Sequence, residues 1–278
     1  MSTKTTCRWR PAPAVSLLVV ALLTGCAGPA AGRPATDPVA AAPVPSRSIA
    51  AAASGRPTGV ADVTPSSAAA ADVGYPATGG NRWSVAAAEA APGRATTGRL
   101  LRYRVAVERD IRGLPVTDIA TAISATLNDP RGWTAGGSWR LRRVGGDEPS
   151  DFTIYLATPG TRDTLCQDVP EGYTSCRNGA RVVLNVARWV KGVPGYGTDL
   201  ATYREYMVNH EVGHKLGFGH ERCPGKGRAA PVMQQQTLGL HGCTANPWPY
   251  PKGRVRYSGP AGAYDDAIPR REGGYPAR

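Results

Sequence analysis

The chain has 278 residues and a formal net charge of +12, from 33 Lys and Arg against 21 Asp and Glu. A basic balance allows contact with nucleic acid, anionic lipid or acidic wall polymer. Here the basic residues are scattered, with no Lys/Arg run and no phosphate-binding Gly loop, so a solvated basic surface accounts for them and no nucleic-acid partner is expected.

Residues 1–25 read as a signal peptide of the lipoprotein type. Lys4, Arg8 and Arg10 give a positive start, and Ala12 to Leu23 is nearly all apolar, too short to span a bilayer. The run ends in Leu23-Thr24-Gly25-Cys26, which resembles the bacterial lipobox. That resemblance implies lipidation at Cys26 and an extracellular address at the outer face of the cell membrane, touched only through the anchor. Residues 26–98 are dominated by Ala, Pro, Gly, Ser and Thr. Few large apolar side chains are available there to offset the entropy of ordering, so the stretch reads as a disordered linker.

Residues 99–253 read as the folded domain, long enough for one core. Leu101, Tyr103, Val105 and Val107 alternate with Arg102, Arg104 and Glu108, which predicts a half-buried strand. Val116, Ile119, Ala120, Ile123 and Leu127 follow at helical spacing, and Asn128-Asp129-Pro130 stops that helix. Further strands are predicted around Trp139–Leu141, Phe152–Leu156 and Val182–Leu184. Residues 157–180 are turn-rich, with room for an unplaced edge strand. Residues 198–216 read as a helix, capped by Thr198 or Asp199 and ended by Gly217. The layout is mixed α/β (α+β). Residues 254–278 read as a disordered tail.

Cys7 falls in the signal and Cys26 takes the lipid, leaving Cys166, Cys176, Cys223 and Cys243. An even number in an exported domain suggests two disulfides. Three pairings are possible; Cys166–Cys176 and Cys223–Cys243 are favoured because each closes a short local loop.

The most informative stretch is residues 210–220, His-Glu-Val-Gly-His-Lys-Leu-Gly-Phe-Gly-His, which holds three of the four histidines of the chain. Side chains four apart on a helix lie about 40° apart around the axis and roughly 6 Å along it, so His210 and His214 can grip one ion. Gly217 breaks the helix and lets His220 return as a third ligand. Three ligands leave one tetrahedral position open, the mark of a catalytic rather than a structural Zn2+. A water there would have its pKa lowered toward roughly 7. Glu211 could then take its proton and later pass one to a leaving amine.

His-Glu-x-x-His-x-x-Gly-x-x-His resembles the signature of the metzincin zinc peptidases. That resemblance implies a small catalytic domain with a twisted, mostly parallel sheet, two main helices and an irregular C-terminal part containing a Met-turn. Met233, in Pro231-Val232-Met233, is the residue similar to the Met of that turn. Phe218 and Glu221 are similar to the astacin version of the motif, but the match stops at Cys223-Pro224, and Glu221 takes no role from it. Asn209 to His214, Ala230 to Gln235 and Asn246 to Tyr250 resemble an uncharacterised family of exported actinobacterial proteins over about residues 99–253. Metzincins commonly carry a pro-segment; residues 27–98 contain no Cys that could serve as its latch.

The expected function is zinc-dependent endopeptidase, a monomer acting on a peptide or protein outside the cell, with one Zn2+ on His210, His214 and His220 and with Glu211 as general base. Tyr196, Tyr203 and Tyr250 are candidates for steadying the oxyanion. A non-catalytic, zinc-stabilised surface-binding module is the alternative, which the retention of Glu211 disfavours. His241 reads as an exposed loop residue with no assignment.

Overall fold

The computed structural model describes residues 72–90 and 95–276. The expected signal peptide, Cys26 and the linker up to residue 71 lie outside them.

The domain is a mixed α/β fold built on one six-stranded sheet. Its axis is the ten-residue strand β2 (Arg99–Glu108), preceded by β1 (Trp83–Val85). Along one edge of β2, β3 (Trp139–Arg143) pairs in parallel with residues 99–103 and β1 pairs antiparallel with residues 106–108. On the other edge β4 (Phe152–Ala157) pairs in parallel with β2, β6 (Arg181–Asn185) in parallel with β4, and β5 (Cys176–Asn178) antiparallel with β6. Three of the five pairings are thus parallel, as expected for strands joined by helical crossovers. The central strands carry buried Val105, Ile154, Leu156, Val182 and Leu184.

Helix α1 (Val116–Leu127) packs its Ile119, Ile123 and Leu127 onto β2, and the long helix α4 (Leu200–Lys215) packs on α1 and β6. Asp199 caps α4 by accepting a hydrogen bond from Thr202 N at 2.7 Å. Two shorter helices, α2 (Pro159–Cys166) and α3 (Val186–Lys191), were not predicted from the sequence, and the edge strand left unplaced within residues 157–180 is β5. Elements of three to eight residues are too short for a periodic apolar pattern to show.

Two expectations are corrected. The linker does not run to residue 98: residues 72–90 and 95–98 belong to the folded domain. Tyr75 is buried, β1 joins the sheet, and the wholly buried Glu108 carboxylate accepts hydrogen bonds from Asn81 N, Thr158 N and Thr161 Oγ1 at 2.9, 2.8 and 2.6 Å. A few strong anchors on a small-residue background suffice to order it, because each removes a buried polar or aromatic group from water.

Nor is the stretch from residue 254 a disordered tail. Residues 254–276 run back over the domain. Arg256 pairs with Glu221 at 2.6 Å, Tyr257 Oη donates to Ala229 O at 2.9 Å, and Tyr75 and Tyr275 exchange two backbone hydrogen bonds of 2.7 Å. These contacts reach across the sequence one residue at a time, which no local pattern announces.

Two disulfides close, Cys166–Cys176 and Cys223–Cys243, with Cα separations of 6.0 and 5.8 Å. Disulfides belong to oxidising compartments. Among the described residues no helix is long and apolar enough to cross a membrane.

Candidate metal centre

His210 and His214 sit in the last turns of α4. Phe218 N donates to Gly213 O at 3.0 Å and Gly217 N to His214 O at 3.1 Å, the paired bonds of a Schellman ending, with Gly217 at φ +98°. A side chain would be strained at that angle. The reversal returns the chain along the helix end and delivers His220. Arg177 on β5 donates from Nε and Nη2 to His214 O at 3.2 and 3.0 Å, closing the carbonyl end of the helix against the sheet.

The three imidazoles converge. His214 Nε2 lies 3.2 Å from His210 Nε2 and 3.1 Å from His220 Nε2. His210 Nδ1 is 2.8 Å from Val232 O, and His214 Nδ1 is 2.9 Å from Phe218 O. A carbonyl only accepts, so each of these Nδ1 atoms carries the proton, and the matching Nε2 is a bare lone pair. Bare lone pairs facing one another are repulsive unless a cation lies between them. A tetrahedral centre with bonds of about 2.0–2.1 Å to imidazole separates its ligands by about 3.3 Å, close to these spacings. Burial is the main cause holding all three imidazoles below their ordinary range, His220 down to about 4, which keeps them in the neutral form that ligates. The donor set therefore fits a zinc ion with an open fourth position.

Glu211 is buried, with Oε2 unpartnered. Burial pushes its carboxyl up to about 8, opposed by the charge of Arg162. Glu211 and the three histidines line a cleft of about 460 Å³. One wall is Thr174 to Arg177, running into β5; the other is Gln235, Thr237 and Leu238. Arg162, nearly wholly buried yet among the residues lining the cleft, is paired with Asp163, Asp168 and Glu171 at 3.0, 2.9 and 2.7 Å.

Met233 lies in a tight turn beneath the histidines, where Gln234 N donates to Pro231 O at 2.9 Å, and it is wholly buried. Its carbonyl accepts from Glu221 N at 3.1 Å, and that of Val232 holds His210. The turn thus fixes the ligand loop from below. Further bracing residues had no assigned role in the sequence. Trp133 Nε1 donates to Asn209 O at 2.8 Å, Asn209 Nδ2 to Pro247 O at 3.0 Å, and Asn246 Nδ2 to Ala230 O at 2.9 Å. Both asparagines fall in the stretches singled out by resemblance, which was the available signal.

The tyrosine candidates are not brought to the site. Tyr203 Oη pairs with Thr237 at 3.0 Å, Tyr196 stacks edge-on against Tyr203, and Tyr250 lies beside Trp133. None of the three lines the cleft; Tyr206 does, with its hydroxyl donating to Gln234 O. Spacing from a motif says nothing about which turn of a buried helix faces a cleft. Cys166, Asp168 and Cys176 also lie close together, but the disulfide consumes both thiols.

A family model described as a protein of unknown function (DUF3152) matches residues 70–251, a span that begins well inside the stretch expected to be linker. No curated protein and no solved structure matches the chain.

Proposed function

The chain belongs to the DUF3152 family, whose description assigns no activity; from its site chemistry we propose that it is a metzincin-type, zinc-dependent endopeptidase acting outside the cell. The observation that supports this reading is the convergence of three imidazole Nε2 atoms, His214 Nε2 lying 3.1–3.2 Å from the other two, in an open cleft that buried Glu211, with Oε2 unpartnered, also lines.

His210, His214 and His220 would hold the ion. When bound, zinc supplies Lewis acidity to a water and to a substrate carbonyl. Glu211 would act as the proton carrier: a cation held by the histidines would favour its ionised form, whose carboxylate can accept the proton lost by the attacking water and deliver it to the departing amine. Val232 O and Phe218 O fix the tautomer and the ring planes, so that His210 and His214 enter the reaction already oriented. The cleft walls position the peptide. The lipobox-like Cys26 supports an anchored or released location on the outer face of the membrane.

The test is a proteome-derived peptide digest with the zinc-loaded protein beside Glu211→Gln. Cleavage by the parent alone supports the reading and reports specificity. Stoichiometric zinc with no cleavage would instead favour a zinc-stabilised binding module.

A further inference from the structure

The C-terminal segment runs along the cleft, and its Ile268 is among the lining residues. On one side Asp266 Oδ2 bonds His241 Nε2 at 2.9 Å, and the Tyr264 ring stacks on His241 at 3.5 Å. Tyr264 Oη also accepts from Cys223 N at 3.1 Å. On the other side Arg271 Nη2 lies 2.5 Å from Asp163 Oδ2, and Glu272 pairs with buried Arg188 and with Lys191, the latter at 2.7 Å. His241 lies three residues beyond Leu238, and Asp163 adjoins Arg162; Leu238 and Arg162 both line the cleft. Five peptide links reach at most about 18 Å, so the segment between the anchors has little slack, and Ile268 within it lines the cleft.

That segment is Ala267-Ile268-Pro269-Arg270. All four residues are exposed, yet Ile268 lines the same cleft as Glu211 and the three histidines. Among the described residues none hydrogen-bonds to these four. The bridge is therefore held firmly at both ends and loosely over the cleft. It also shows what can reach there: a segment without regular structure presenting a branched aliphatic side chain.

We infer that the cleft is a peptide-binding groove whose resident occupant is residues 264–272, competing in place with incoming peptide. The inference rests on the peptidase reading only for the identity of the competitor. A tethered occupant acts at an effective concentration on the order of millimolar. Against a contact of about 100 μM, that occupancy weakens binding of a free peptide about tenfold.

The test uses the full chain and a fluorescent peptide of the sequence of residues 264–272. Asp266→Ala with Arg271→Ala removes one half-buried and one exposed anchor and leaves Glu272 on Arg188. Ile268→Gly leaves every anchor and removes only the side chain in the cleft. Both variants should bind the labelled peptide more tightly than the parent, the double variant by about tenfold, and amide exchange at residues 264–272 should quicken in the double variant. Where hydrolysis is measured, KM should fall by the same factor with kcat unchanged. Equal peptide affinity in the parent and both variants overturns the inference, whether or not exchange changes. Tighter binding without any hydrolysis keeps this inference and overturns the peptidase reading; hydrolysis with equal kcat/KM in all three chains does the reverse.

Discussion

Met233 Sδ fills the space that a β-carbon on Gly213 would need. Such a carbon would overlap the sulfur and come within 2.6 Å of Trp133 Cζ2. Gly213 lies one residue before a zinc-ligand candidate and Met233 in the turn beneath it, so the helix and the turn meet with nothing between them. An Ala in an exposed helix interior would gain about 1 kcal/mol over Gly. Gly213→Ala is expected to do the opposite and lose about 1–3 kcal/mol through overpacking. Denaturant midpoints decide it; a stabilised variant would mean that the turn moves aside freely.

Glu211→Gln is expected to lower kcat by at least about a hundredfold, the lower bound of a positioned general base. Zinc content, measured by elemental analysis, should be unchanged, because Glu211 is not among the converging donors. Loss of zinc along with activity would instead make Glu211 a ligand.

Chelation should lower the melting temperature, and added zinc should restore it. At a free ion concentration of a hundred times Kd, the bound state gains about 2.7 kcal/mol. His214→Ala should erase that zinc-dependent gain, since His214 Nε2 is the atom within 3.2 Å of both other donors. A melting temperature in His214→Ala that still rises with zinc would place the ion elsewhere.

Glu108→Ala should cost about 2–4 kcal/mol by leaving two buried donors, Thr158 N and Thr161 Oγ1, and the part-buried Asn81 N without an acceptor. Because Asn81 N is one of them, protease sensitivity should rise around residues 79–85 before it rises in the sheet. Uniform sensitivity would show that β1 and the core unfold together.

Loss of the Cys223–Cys243 bridge, which spans 20 residues, should cost about 2–4 kcal/mol. The enclosed stretch carries the Met233 turn and His241, so Cys223→Ser with Cys243→Ser should also weaken zinc retention in a competition with a chelator. Unchanged zinc affinity would show that the turn is held unaided by Asn246 and by Gln236, whose Nε2 donates to Pro231 O at 3.1 Å and Asn246 O at 2.8 Å.

The two long helices, the inner strands and the four residues of the site were legible because each rests on local spacing. The helical period placed Ile119 to Leu127 and His210 to His214, and the scarcity of His isolated the motif. What stayed hidden depends on partners far along the chain. Tyr75, Glu108, His241 and Glu221 look ordinary in sequence and become anchors only opposite Tyr275, Thr158, Asp266 and Arg256. The same holds for Trp133, whose indole reaches Asn209 across the core.

The pairing of Tyr75 with Tyr275 joins residues two hundred apart (275 − 75 = 200). In a chain made and threaded from its N-terminus, Tyr275 is among the last of the described residues to arrive. The residues of the sheet, α4 and the histidine loop then all emerge before those of the closing segment. Every newly made copy would pass through an interval with its cleft uncovered, and the length of that interval would be set by the pace of emergence rather than by any external signal.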